Sequence, residues 1–216
     1  MSMGFLPIVL MFILFFAGVP VAISLLACVL PYFIFINDSM PVYLVLQRMV
    51  AQLESSALWA VPFFITAGSV LNYSGVTRRL MDLCEALVGH LPGALAQVNV
   101  LLSAFMGGIS GSAASDAATD CKILVPQMIK RGYDKDFCAA VTAASAQITP
   151  IIPPGSGLII YACIADVSVG RMFMAGWIPG IILTVLMMGL VHVMSKKRGY
   201  VPTRQKPADA KELLSL

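Results

Sequence analysis

The chain has 216 residues, 59% of them hydrophobic and 12% charged, with a net charge of +3. A soluble domain carries about 25% charged residues, so this composition excludes one and places the protein in a lipid bilayer as a single membrane domain. No basic patch interleaved with aromatics is present, which excludes a nucleic-acid-binding surface.

Gly4 to Ile36 is almost unbroken apolar sequence. As one helix it would be about 50 Å long, against a hydrocarbon core of roughly 30 Å. Gly18-Val19-Pro20 divides it, either into two short spans or into one sharply bent span. The run lacks a basic leader and is too long for a cleavable signal peptide, so it is kept as structure. In Met40 to Ser56, Val42, Val45, Leu46, Met49, Val50 and Leu53 recur on one helical face, with Gln47, Arg48, Gln52 and Ser55 opposite. That pattern predicts an amphipathic helix lying along the interface. Ala57 to Tyr73 is long enough to cross. Thr77 to Val88 repeats the amphipathic pattern, with Leu80, Leu83, Cys84 and Leu87 opposed by Arg78, Asp82 and Glu85.

Lysine and arginine set the sides. Arg78 and Arg79, then Lys130, Arg131 and Lys135, then Lys196, Lys197, Arg198, Arg204, Lys206 and Lys211 mark three cytoplasmic regions. The segments 37–56 and 166–171 hold only Arg48 and Arg171 and fall outside. Gly93 to Ile129 therefore begins and ends on one side. It must enter and return, reversing near Gly107-Gly108-Ile109-Ser110-Gly111-Ser112: a re-entrant helical hairpin from the cytoplasm. Asp136 to about Ala165 must cross, but it contains Thr149-Pro150-Ile151-Ile152-Pro153-Pro154-Gly155-Ser156-Gly157. Proline removes donors and clashes with the preceding turn, so the span is two half-helices joined by an extended stretch. Met172 to Met194 returns as a plain spanning helix, and a loosely ordered polar tail begins near Lys196. The expected parts are scaffold and interfacial helices (1–56), a crossing helix with an amphipathic arm (57–92), the hairpin (93–134), the broken and following helices (135–195) and the tail (196–216).

Unwound backbone at membrane depth leaves peptide groups that must be satisfied. Half-helix N-termini hold anions; carbonyls and hydroxyls hold cations. Ile109, Thr149 and Ile152 would offer carbonyls to a Na⁺, and Ser110, Ser112, Thr149 and Ser156 hydroxyls. Packing of small residues is the other use of such a stretch. Asp116 and Asp120 share a helical face. With Lys122 at the membrane edge, Ser110 lies about 18 Å deep, Asp116 about 9 Å deep, and Asp120 is solvated. The scattered cysteines Cys28, Cys84, Cys121, Cys138 and Cys163 show no CxxC spacing and read as free thiols in apolar surroundings.

The order SGSAASDAA, VPQMIKRGY and ITPIIPPGSGLIIYACIADVSVGRMFMAGWIPGII resembles the large membrane subunit of tripartite ATP-independent periplasmic (TRAP) transporters. VPFFITAGSVLNYSGVTRRL and LVGHLPGALAQ are similar to the same family upstream. The resemblance implies an all-α integral membrane protein of the bacterial inner membrane, the first half of an inverted-repeat, elevator-type transporter. It implies Na⁺-coupled uptake of an organic acid, a C4-dicarboxylate or similar carboxylate, with Na⁺ as coupling ion and no enzymatic activity. The implied partners are a periplasmic substrate-binding protein and a small four-helix membrane subunit; the second half of the large subunit is either a separate partner, where the gene is split, or the remainder of a longer chain of which this is a piece. Ser110, Gly111, Ser112 and Asp116 match the family's hairpin tip and return arm; Pro153, Pro154, Gly155 and Ser156 match its double-proline break, whose backbone helps bind Na⁺. On this resemblance the substrate faces Ser110, Gly111, Ser112, Ala113, Gly155, Ser156 and Gly157. The ion takes Ile109, Ser110, Ser112, Asp116, Thr149, Ile152, Pro153 and Pro154. The chain departs from the family in having glycine before Ser156 after the double proline, Asp120-Cys121 after the hairpin's alanines, and no second hairpin.

Two other classes are compatible with parts of the chain. Gly108-Ile109-Ser110-Gly111 is also a GxSG string, as in rhomboid-like intramembrane serine proteases, with His192 as the base. Counted from Lys196, His192 lies about 6 Å from the cytoplasmic edge, far shallower than Ser110, while proton transfer needs about 3 Å. A passive channel would show Na⁺-independent, non-saturating flux.

Overall fold

The computed structural model describes residues 5–35, 41, 43–54, 58–205 and 208. Among them are ten helices and no strands: α1 (Leu6–Phe16), α2 (Val21–Phe35), α3 (Tyr43–Leu53), α4 (Ala60–Tyr73), α5 (Val76–Val88), α6 (Ala94–Gly107), α7 (Ala113–Lys130), α8 (Lys135–Ser145), α9 (Ser156–Ile164) and α10 (Val169–Arg198). Gly4, Ile36, Met40, Val42, Ser55, Ser56, Ala57, Lys206 and Lys211, named above, lie outside the described residues, as does the Gln52 side chain.

The chain divides into two units, Met1–Ser55 and Ser56–Leu216. In the first, the apolar run is two helices rather than one bent helix, broken across Ala17 to Pro20. Pro20 has no N–H to give, and Gly18 takes a left-handed φ of 78° that ends α1. Helix α2 packs on α1 through small residues, with Ser24 and Cys28, four apart, as its buried positions. The amphipathic helix forms as α3, and with α2 it lines an apolar groove of about 770 Å³ edged by Arg48.

In the second unit α6 is the axis. It packs against α5, α7, α8 and α10, so apolar residues with a few small polar ones serve on every side. Leu95, Val100, Met128, Phe137, Ile148, Ile152 and Val191 form one core beside it. Cys84, Val98, Leu102, Met106 and Leu124 form another. Cys28, Cys84 and Cys138 are buried free thiols, in line with their reading as small apolar side chains.

Helices α6 and α7 form the helical hairpin, reversing at Gly108 to Ser112. Its base is gathered by one tyrosine: Gly93 N–H donates to the Tyr200 carbonyl at 3.3 Å, and Asp134 N–H to the Tyr200 hydroxyl at 3.1 Å. The loop after α7, with Lys130, Arg131 and Lys135, thus meets the start of the tail, with Lys196, Lys197 and Arg198, at the foot of the hairpin.

Several elements differ from their expected bounds. Helix α4 has 14 residues, about 21 Å, short of the roughly 30 Å of hydrocarbon. The break between α8 and α9 begins at Ala146, ahead of the first proline, because Ile148, Ile151 and Ile152 N–H groups bond back through tight turns. Helix α10 is 30 residues, longer than Met172 to Met194, and carries Lys196, Lys197 and Arg198 in its last turn, where cations suit the helix dipole. It is the one described helix both long and apolar enough to cross a membrane alone, with shorter apolar helices at Leu6–Phe16, Val21–Phe35, Ala60–Leu71 and Ala94–Gly107.

The start of the tail is docked rather than loose. Thr203 and Arg204 N–H groups donate to the Gly89 carbonyl at 3.0 Å, and Ala208 N–H to the Ala86 carbonyl. Tyr200 stacks on Tyr133 with centroids 4.2 Å apart, and Arg198 pairs with Asp134 while lying over the Phe137 ring.

Candidate functional site

The reversal is built on one carbonyl. Helix α6 ends at Gly107, and the N–H groups of Ile109, Ser110 and Gly111 all bond the Met106 carbonyl, with Ser110 N–H closest at 2.8 Å. The Ser110 hydroxyl donates to the same atom at 3.3 Å. Gly111 then takes φ +56°, in the region side chains avoid, and a Cβ there would stand 2.6 Å from the Pro154 carbonyl oxygen. Only glycine satisfies both demands, and the contact seats the hairpin tip on the break.

Two helices begin at that contact. Ser112 precedes α7 and Gly155 precedes α9, both in extended conformation, and neither helix start has a side-chain cap. Each therefore presents unpaired N–H groups and about half a positive charge. The Ser156 hydroxyl reaches the Gly111 carbonyl at 3.4 Å, joining the two starts. An anionic group between them would meet donors from both.

Behind the tip lies a chain of buried polar groups. The Thr149 hydroxyl is 2.8 Å from Asp116 Oδ2 and 3.0 Å from the Ser103 carbonyl, tying break, α7 and α6 together. Farther along, Asn99 donates to the Thr142 hydroxyl at 2.9 Å and accepts from Ser145 at 2.6 Å. All these side chains are fully buried or nearly so.

The structure thus brings together Gly111, Pro154, Gly155 and Ser156 at the tip, with Thr149 and Asp116 behind them. Ser112 and Ala113 stand half-buried beside this contact, and Gly157 is exposed on α9. The Ile109 carbonyl packs on α4, where a Cβ on Gly68 would lie 2.5 Å from it. The Thr149 carbonyl faces Gly107. Ile152 and Pro153 are buried and border an apolar cavity of about 370 Å³ with Ala104, Phe105, Gly108 and Trp177. Ser110 finds a main-chain partner in Met106 and no histidine.

Asp120 corrects an expectation. It was placed in solvent near Lys122; it is wholly buried, while Lys122 is exposed. The reason is its face: one turn after Asp116 on α7, it points with Asp116 at Ser103 of α6, and it also lies near Cys84 of α5. Ser103 and Asn99 were missed altogether. Their signal was present, since Asn99 and Ser103 are four apart, and Thr142, Ser145 and Thr149 recur at three and four. The first pair makes a polar stripe on α6, and Thr142 and Ser145 make one on α8 that Thr149 continues into the break.

A family model described as "Tripartite ATP-independent periplasmic transporter, DctM component" matches residues 8–214. The chain is 37% identical over 202 residues to the sialic acid TRAP transporter permease protein SiaT of Haemophilus influenzae, covering 94% of this chain and 33% of that protein. It is 37% identical over 188 residues to the sialic acid TRAP transporter large permease protein SiaM of Vibrio cholerae, covering 87% and 44%. It is 30% identical over 205 residues to the C4-dicarboxylate TRAP transporter large permease protein DctM of Rhodobacter capsulatus, covering 88% and 46%. The chain spans a third to under half the length of these relatives. With a match running from near its start to near its end, and the hairpin and break in the same order, the chain belongs to the DctM family of TRAP transporter components, a family of membrane transport proteins and not of enzymes.

Proposed function

We propose that this chain supplies the first repeat of a TRAP large permease subunit, and that the α6–α7 hairpin and the α8–α9 break form one wall of a Na⁺-coupled carboxylate site. The hairpin enters the membrane from the cytoplasm and returns, and it moves with the break as one body in an elevator-type cycle. The observation that carries the reading is the meeting of two uncapped helix starts at Gly111 and Gly155. Their N–H groups suit a carboxylate. On the same wall, Ser110, Ser112 and Ser156 supply hydroxyl oxygens to Na⁺, while the Ile109, Thr149 and Ile152 carbonyls and the Pro153-Pro154 backbone supply the rest. Asp116 adds negative charge from one turn behind and holds Thr149.

The substrate is an organic acid. Sialic acid and C4-dicarboxylate are named for similar proteins, and both present the carboxylate these helix starts would bind. A second repeat completes the pocket from the far side. A small four-helix membrane subunit braces the scaffold, and a periplasmic binding protein delivers the substrate. The site lies in the bacterial inner membrane.

The test is uptake into proteoliposomes holding the full set of partners. Saturable uptake driven by an inward Na⁺ gradient is expected, with Na⁺ dependence weakened at least tenfold by Ser110→Ala together with Ser112→Ala. Uptake that ignores Na⁺ and does not saturate marks a passive channel. Unchanged Na⁺ dependence in the double variant removes the hydroxyls from the ion site.

A further inference from the structure

The hairpin carries a second polar centre that the tip does not use. Asp116, Asp120 and Ser103 are each 0% exposed. Both oxygens of Asp120, Oδ1 of Asp116 and the Ser103 hydroxyl make no hydrogen bond of full geometry, and the Ser103 hydroxyl is the one side-chain donor that acts on both carboxylates. Ser103 faces both carboxylates from α6, and the Cys84 thiol borders Asp120 from α5. The side chains acting on the two carboxylates are Ser103, Thr149 and each other, with no lysine, arginine or histidine among them. Buried native polar groups are nearly always satisfied; the one Ser103 proton cannot serve two carboxylates, so the converging oxygens call for a shared ligand.

We infer that Ser103, Asp116 and Asp120 hold a Na⁺ inside the α6–α7 hairpin, a cation site separate from the one at the tip. The inference takes only the identity of the ion from the function proposed above. One cation between two carboxylates relieves their mutual repulsion and the burial of uncompensated charge together. The ligands are all oxygen, which is hard-cation chemistry. No cluster of three or more His, Cys, Asp or Glu is arranged for a metal among the described residues, which sets a transition-metal centre aside. A proton would serve one oxygen at a time; a Na⁺ draws on all four. Asp116 is shared in function, since its Oδ2 holds Thr149 of the break while its Oδ1 remains for this ion. Occupancy here would therefore stiffen the joint between the hairpin and the break.

The unmutated 216-residue chain in detergent is treated with dicyclohexylcarbodiimide, an apolar reagent for carboxyl groups, at fixed pH and ionic strength. Modification of Asp120 is read by mass spectrometry in NaCl and in choline chloride. Na⁺ is expected to lower it several-fold. Equal modification in both salts overturns the inference. Thermal unfolding gives the second reading: Asp120→Asn and Ser103→Ala each lose at least half of the Tm rise that Na⁺ produces. An unaltered rise in Asp120→Asn overturns the site whatever the reagent does. Ser110→Ala with Ser112→Ala keeps the Asp120-dependent part of the rise, so failure of the tip reading and failure of this one leave different records.

Discussion

The Thr149 hydroxyl stands 2.8 Å from Asp116 Oδ2, a hydrogen bond between two wholly buried residues that fastens the non-helical stretch to the second arm of the hairpin. A hydroxyl donor to a buried carboxylate is worth more than a surface contact, because its loss strands the acceptor. Thr149→Val keeps the shape and removes the donor. It is expected to cost about 1–3 kcal/mol in detergent unfolding and to weaken Na⁺-dependent uptake. Thr149→Ser should restore both to near the unmutated level; a serine variant as impaired as the valine would mean that the methyl group, and not the hydroxyl, is what matters.

Asn99 is the hub of the other buried network, with Thr142 and Ser145 both on α8. Between helices in lipid, packing and hydrogen bonds take over from the hydrophobic effect as the source of cohesion. Asn99→Ala is expected to destabilise by about 1–2 kcal/mol, since it leaves two buried hydroxyls short of partners. The double variant with Ser145→Ala should cost less than the sum of the two singles. A double-mutant cycle by thermal unfolding reads the difference.

Gly111 meets two separate demands, and two substitutions separate them. Gly111→Ala sets a methyl 2.6 Å from the Pro154 carbonyl oxygen at φ +56°. It should lower Na⁺-driven uptake more than tenfold while the chain still inserts and purifies. Asparagine tolerates the left-handed region better than alanine but is bulkier. If Gly111→Asn fails as badly as Gly111→Ala, crowding against Pro154 is the cause; recovery would point to backbone conformation instead.

The docked tail is pH-sensitive at its acid end. The Tyr200 hydroxyl and the Arg198 guanidinium hold the Asp134 carboxyl below the usual carboxylate range. A group with a depressed pKa in the folded state contributes stability above its unfolded value, near 3.9, and loses it as pH falls through the folded one. Docking of residues 199–205 is therefore expected to be intact at neutral pH and to loosen below about pH 4. Asp134→Asn should dock more weakly at pH 7 and show no further acid loosening. Limited proteolysis of the tail across pH reads both.

Much of this arrangement is legible in the residues themselves. Gly18-Val19-Pro20, the Gly107–Ser112 reversal and the proline-rich stretch near 150 each break a helix for a local reason that needs no neighbour. Both amphipathic arms follow from periodicity. What resisted reading was depth and facing. Asp120 sits two residues from Lys122, which suggests water; its burial depends on α5 and α6 covering that face of α7, a fact of packing. The tail resisted for the same reason. Nothing local in Tyr200 announces that it will bridge Gly93 and Asp134. The stripes of small polar residues on α6 and α8 were readable but were outweighed by the apolar residues around them.

Helix α10 runs 30 residues, about 45 Å, well beyond the thickness of the hydrocarbon layer. A rod that long in a bilayer must lean or protrude, and the angle follows the membrane's thickness. Its far end is bolted to the hairpin base through Arg198 and Tyr200. Were the rod to change its lean with the lipid around it, the change would reach the foot of the hairpin through these contacts.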